Sequence, residues 1–274
     1  MDGRRRWHFD GPVADFAYLS GVVVVREGDG SGGTATYAAL DPQTGKKLWR
    51  RTLPSSSPSP LYAGPDGTLY ADLRSGTENK DRGSVSSRIL QLRADTGKTV
   101  HQVEAPKRDL AAVHDGTAYY LQQGDTGVSG RLTVQNLTTG KTRGIDLPWS
   151  VKLETPPVVD GSTIYFFDNG YETILALDLD SGKPLWTSSR ELRIFDKPAV
   201  YDNRLYVTMP NTSVLVLDAR TGKQLWRTKT SFDTGDRLFN ELRSTGVAPL
   251  VVGDTVYGVT AQGAFSVSAH RPDV

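Results

Sequence analysis

Three stretches of this chain carry nearly the same phrase: ALDPQTGKKLW at 39–49, ALDLDSGKPLW at 176–186 and VLDARTGKQLW at 216–226. Two eroded copies lie at 91–101, with Arg93 for the aspartate and His101 for the tryptophan, and at 134–144, with Asn136 and Gly144 in those places. Aligned on their glycines, Gly45, Gly97, Gly140, Gly182 and Gly222, the copies are spaced by 52, 43, 42 and 40 residues. Self-similarity at such a period means stacked units, each unable to bury its apolar face alone; about 40–50 residues suits four strands per unit.

Inside a unit the strand signals are clear. In 198–229, PAVYD is a short apolar run, NRLYVTMP and SVLVLDA alternate, RTGK is a turn, and QLWRTKT is a last, more polar strand. Runs of period two, separated by Gly, Asn and Asp, with no convincing helical period, read as all-β. The Asp or Thr before each turn glycine tolerates a tight hairpin, and Asp41, Asp178 and Asp218 can accept hydrogen bonds from turn amides. The tryptophan four residues after the glycine falls on the outer strand. There Trp49, Trp186 and Trp226 can each cover the core towards the next unit, and each should be largely buried.

The chain opens on DGRRRW, where Gly3 to Trp7 repeats the step from Gly45 to Trp49, and it ends on three strand-like runs, 248–254, 255–262 and 264–273. The expected fold is therefore an all-β, six-bladed β-propeller of four-stranded antiparallel blades. Its ring is closed by the N-terminal strand completing the C-terminal blade, with Trp7 docking like the others. The expected blades are approximately 11–53, 54–103, 104–147, 148–188, 189–229, and 230–274 with 1–10, in one domain of 274 residues. The blades bearing His101 and Gly144 are expected to be the weaker ones.

The pattern A-x-D-x-x-T-G-K-x-x-W resembles the tryptophan-docking repeat of the PQQ-like, quinoprotein-type β-propellers, and the likeness covers essentially the whole chain. Family enzymes that use the quinone are larger, and resemble each other in a vicinal cysteine pair and a calcium site. With no cysteine here, the resemblance implies no cofactor, and PQQ is not expected. It implies instead a non-enzymatic member, such as the outer-membrane assembly lipoprotein or the sensor domains of actinobacterial Ser/Thr kinases.

Composition narrows the partners. The 32 Lys and Arg balance 31 Asp and Glu, for a net charge of +1, and a dedicated nucleic-acid binder would need a strong basic excess. The longest apolar run, GVVVVR at 21–26, is strand-sized, far short of the roughly 18–20 residues of a membrane span. No direct membrane insertion is expected. No signal peptide is legible, so the expected location is cytoplasmic, or extracytoplasmic if this is the sensor piece of a longer protein. A monomeric domain is expected.

Function on a repeat scaffold gathers at loops. In each unit the TGK turns fall at one end of the sheet and the long loops at the other: 27–34, 74–87 and 123–130 between second and third strands, and 54–60, 105–110, 188–197 and 231–246 leading into first strands. Residues just before each innermost strand should ring a channel mouth: Asp15, Ser59, Asp109, Glu154, Lys197 and Ser244, with Arg108, Lys152, Arg193, Asp196 and Arg243 close by. Such a ring can hold a small anion or a peptide carboxylate, or its polar groups can satisfy one another and water. Of the four histidines, His8, His101, His114 and His270, His8 and His101 fall on outer strands of different blades, which point apart, so no metal site is expected. Asp233 and Asp236 read as solvated loop charges rather than an acid–base pair. The expected function is a non-catalytic binding, sensor or scaffold module for a protein, peptide or small anionic ligand. The alternative is a propeller lyase or hydrolase with its site at the channel mouth.

Overall fold

The computed structural model describes residues 7–28, 33–54, 61–75, 86–106, 108–122, 130–148, 156–168, 173–188, 198–208, 214–228, 249–252, 255–260 and 263–268. The chain divides into two compact units, residues 1–122 with 132–144, and residues 123–131 with 145–274.

The first sheet is β1 (Val13–Leu19), β2 (Val22–Glu27), β3 (Thr34–Leu40) and β4 (Lys47–Pro54), antiparallel in that order. The second is β5 (Tyr62–Ala63), β6 (Thr68–Ser75), β7 (Ser86–Arg93) and β8 (Thr99–Ala105), with one 3₁₀ turn at Pro65–Gly67. The third is β9 (Asp109–His114), β10 (Thr117–Gln122), β11 (Arg131–Asn136) and β12 (Thr142–Asp146). In the second unit come a fourth sheet, β13 (Val158–Asp160), β14 (Thr163–Asp168), β15 (Thr173–Asp178) and β16 (Pro184–Thr187), and a fifth, β17 (Ala199–Tyr201), β18 (Arg204–Thr208), β19 (Val214–Asp218) and β20 (Gln224–Arg227). The last sheet has three strands, β21 (Leu250–Val252), β22 (Thr255–Thr260) and β23 (Gly263–Ser268).

Sequence pattern explains which strand sits where. The third strands TILALD and VLVLD are apolar but for Thr173 and the closing aspartates, and are buried on both faces. They lie between neighbours on either side, as continuous apolar runs require. The outer strand KLWRRTLP alternates and is half exposed. Side chains of alternate parity build the seams between sheets. Val22, Val24, Tyr37 and Ala39 meet Leu69, Ala71, Leu73, Leu90 and Leu92 between the first and second sheets. Tyr62, Tyr70 and Ile89 meet Ala118, Tyr120 and Leu137 between the second and third. In the second unit Tyr165, Phe167 and Ile174 pack on Leu205, Val207, Leu215 and Leu217, and Tyr206, Val216 and Trp226 pack on Val256. The two-residue hairpin at Asp202 and Asn203 has φ of +50° and +55°, the I′ geometry that these residues tolerate.

The repeated phrase is a self-contained turn joined to a docking site. Asp41 Oδ1 accepts hydrogen bonds from the Gln43 amide at 2.9 Å, the Thr44 amide at 2.7 Å and the Thr44 hydroxyl at 2.8 Å. Asp218 accepts from Thr221 in the same way, and Asp178 from Ser181. Asn136, the eroded copy, accepts from the Thr138 amide and from the Thr139 amide and hydroxyl. Arg93 cannot accept, and instead donates to both carboxylate oxygens of Asp95.

Each tryptophan of the phrase that has a described turn ahead of it then lies over that turn's glycine. Indole Nε1 donates to the carbonyl three residues before the glycine: Trp7 to Pro42 at 2.8 Å, Trp49 to Ala94 at 2.8 Å and Trp186 to Ala219 at 2.9 Å. A side chain at Gly45 or Gly97 would place its Cβ 2.8 Å from the Trp7 ring or 2.7 Å from the Trp49 ring. In the eroded copies aliphatic side chains take the ring's place. Val103 lies over Gly140 and Ile145 over Gly182, at 3.1 and 2.9 Å from a would-be Cβ. Losing the tryptophan therefore does not leave those turns bare.

One expectation needs correction. Trp49, Trp186 and Trp226 were expected to be largely buried, but only Trp226 is, at 9% exposure. Trp49 and Trp186, on the outer strands, are half-buried. The expected pairing of an N-terminal strand with the segment around Phe265 falls largely on residues 1–6 and 269–274, which lie outside the described residues. Trp7 and Phe9 pack against Val23, Val25, Ala38 and Leu40 of the first sheet.

The turn aspartates set a pH dependence. The Thr221 hydroxyl holds the Asp218 carboxyl below its ordinary value of 3.8, and the Thr44 amide does the same for Asp41. A carboxylate depressed in the folded state stabilises above its unfolded pKa, and the contribution is lost as pH falls through the folded value. Asp218→Asn, which keeps an Oδ1 acceptor as Asn136 does, should leave the urea midpoint at pH 7 nearly unchanged and flatten its fall below about pH 4. An acid limb of unaltered steepness in the variant would show that Asp218 contributes nothing to it.

Candidate functional site

Most of the anticipated ring cannot be placed. Ser59, Lys152, Glu154, Arg193, Asp196, Lys197, Arg243 and Ser244 lie outside the described residues, as do Asp233, Asp236 and His270. Asp109 opens β9. Asp15 and Arg108 remain, and both are engaged within the first unit.

Asp15 does not precede the innermost strand, as the sequence suggested, but sits inside β1, where the pairing with β2 shifts register between Val13 and Asp15. Its Oδ1 accepts from the Phe16 amide at 2.8 Å, and its Oδ2 accepts from the Leu61 amide at 2.7 Å. Leu61 directly precedes the two-residue strand β5, too short to satisfy its flanking amides by pairing alone. The carboxylate thus braces the start of the second sheet against the first. Arg108 donates from Nη1 to the Thr133 hydroxyl of β11 at 3.3 Å, holding it to its own sheet.

The structure adds residues that the sequence reading passed over. By register, Asp15 faces Arg26 across the β1–β2 pair, and Arg26 faces Tyr37 across β2–β3. Arg26 shares its parity with Val22 and Val24, so it points into the seam with the second sheet, where it is only 8% exposed. Its Nε and Nη1 have no hydrogen-bond acceptor. Tyr37 is buried beside it. Burial pushes the phenol up to about 12; the Arg26 charge opposes this, and Asp72 and Asp15 add to it. Asp72, at 1% exposure, accepts from the Ser87 hydroxyl at 3.1 Å. The signal was available: in GVVVVRE, Arg26 falls two and four residues after the core valines.

The histidines stay apart. His8 pairs with Asp10 at 2.9 Å on an exposed surface, His101 lies on β8, and His114 is 3.4 Å from Asp115. Among the described residues no group of three or more His, Cys, Asp or Glu gathers where it could hold a metal ion. Among them, too, no helix is long and apolar enough to cross a membrane.

Comparison with known proteins gives the following. The sequence profile of the family described as outer membrane protein assembly factor BamB matches residues 1–147 and again 146–271. The outer membrane protein assembly factor BamB of Yersinia pestis is 26% identical over 218 residues, 71% of this chain and 54% of that protein. A 1-butanol dehydrogenase (cytochrome c) of Thauera butanivorans is 29% identical over 140 residues, 44% of this chain and 19% of the enzyme. The chain thus spans about half, or less, of the length of these curated relatives. Among solved structures, BamB from Moraxella catarrhalis superposes with a TM-score of 0.53 at 17% identity, covering 97% of this chain and 74% of that one; a likeness at this identity shows the fold.

Proposed function

This chain belongs to the family described as outer membrane protein assembly factor BamB, and on that premise we propose that it is a non-catalytic propeller module that binds a protein partner. The observation that supports this most is the family match over both halves of the chain. The likeness to the dehydrogenase spans a fifth of that enzyme and carries the repeat rather than the chemistry. In this reading six blades form one ring, the N-terminal segment completing the last, and the domain acts as a monomer. The partner meets the loop end of the sheets, where Asp15, Arg108 and the loops around them lie. The opposite ends are occupied by turns whose aspartates and amides satisfy each other, leaving few groups to recognise anything.

Site-specific photo-crosslinking tests this. A photoreactive residue placed at exposed Pro54 or Gln122, at the loop ends of β4 and β10, should give one discrete polypeptide adduct in cells that make the full chain. The same residue at exposed Thr138, in the turn after β11, should give none. Adducts of equal yield at both ends, or at neither, would refute the assignment.

A further inference from the structure

We propose that Arg26 is an anion-recognition group that takes a carboxylate of the protein partner at the loop end of the seam between the first and second sheets. This rests on the protein-binding reading above and names the chemistry that the partner presents.

The argument begins with what surrounds the guanidinium. Arg26 is the penultimate residue of β2, next to the 28–33 loop, and is only 8% exposed. Its apolar companions on the same face, Val22 and Val24, are core residues of the seam. An arginine held this way has lost most of its hydration, and a buried charge is tolerated when it is paired. Yet Nε and Nη1 have no acceptor. The carboxylate nearest by register is committed elsewhere: Asp15 gives one oxygen to Phe16 N–H and the other to Leu61 N–H. Asp72 accepts from Ser87, and the phenol of Tyr37 is neutral at physiological pH. By contrast Arg51, facing Tyr37 from β4, spends its Nη1 on the Gly97 carbonyl and the Thr99 hydroxyl at 2.8 and 2.9 Å. Within one cross-strand row, therefore, one arginine is used internally and the other keeps its donors.

A partner's acidic side chain or chain terminus supplies what is missing, since guanidinium–carboxylate hydrogen bonds are the stronger, charge-assisted kind. Asp15 and Asp72 shape the selectivity. With two carboxylates near, the site favours a singly charged oxyanion over a doubly charged phosphate.

The test uses the full chain, with sodium acetate and inorganic phosphate as probes, each matched in ionic strength to sodium chloride. The Nε–Hε resonance of Arg26, assigned by its loss in Arg26→Lys, should shift saturably with acetate, while that of Arg51 stays still. At acetate about tenfold above its Kd, the folding equilibrium should move about 11-fold towards the folded chain. Arg26→Met should lose that shift, and in chloride alone should melt at or above the parent temperature, because it removes a buried guanidinium whose Nε and Nη1 have no acceptor. An unmoved Arg26 resonance, saturation by phosphate but not acetate, or an Arg26→Met chain that melts far below the parent in chloride would each overturn the inference. The adducts at Pro54 or Gln122 separate the two readings. If they persist undiminished in Arg26→Met, the carboxylate site fails and the partner reading stands; if the parent gives none, the partner reading itself fails.

Discussion

Replacing Trp226 with alanine should destabilise the chain by about 3–5 kcal/mol, the range for truncating a buried aromatic. Trp226 is the one docking-position tryptophan that reaches full burial, at 9% exposure. It sits opposite Val216 across the β19–β20 pair and packs with Tyr206, Val214 and Val256, with Val251 at the edge of the cluster. That cluster joins the fifth sheet to the three-stranded last one, which has few other buried apolar groups among the described residues. A cavity here cannot be refilled from the outer side, since β20 is exposed at the positions flanking the tryptophan. Half-buried Trp49 should cost distinctly less in the same substitution. Urea unfolding of the two single variants checks the order. A loss below about 1 kcal/mol for Trp226→Ala would mean that the last sheet is not held through this ring.

The repeat made the sheets legible. Spacing of the turn glycines, alternation along the second strands and the polar outer strands located the strands and the aspartate-capped turns, because those features depend on local chemistry. The docking rule was legible only in outline. The sequence shows a tryptophan four residues after a glycine. It does not show that the indole donates three residues ahead of the next glycine, nor that Val103 and Ile145 stand in where the tryptophan is missing, since both are contacts between residues of different sheets. The repeat puts Asp15 just before a first strand, and its bracing role is hidden by a shifted register in β1, which no pattern of residue types announces. Arg26 was missed for the opposite reason. Its parity with Val22 and Val24 marks it as inward-facing, but an arginine at a strand end normally reads as the start of the solvent.

Gly222→Ala should cost about 3–4 kcal/mol, and about 2 kcal/mol of that should vanish when Trp186 is already alanine. Two effects act at this glycine. Its φ of +70° places an L-residue in the left-handed region, at about 1–2 kcal/mol. A Cβ there would stand 2.5 Å from Cδ2 of the Trp186 ring, so the ring must move away. Moving it breaks the Nε1 hydrogen bond to the Ala219 carbonyl at 2.9 Å and the tilted contact with Tyr165, whose ring centre is 6.0 Å away. Tyr165 donates to that same carbonyl at 3.2 Å, so the displacement also disturbs a second donor in the seam between the fourth and fifth sheets. With Trp186→Ala in place there is no ring to displace, and Gly222→Ala should cost only the backbone strain. The double-mutant cycle should therefore give a coupling of about 2 kcal/mol. Costs that add to within about 0.5 kcal/mol would show that the glycine is required by its backbone angle alone, and that the tryptophan docks elsewhere.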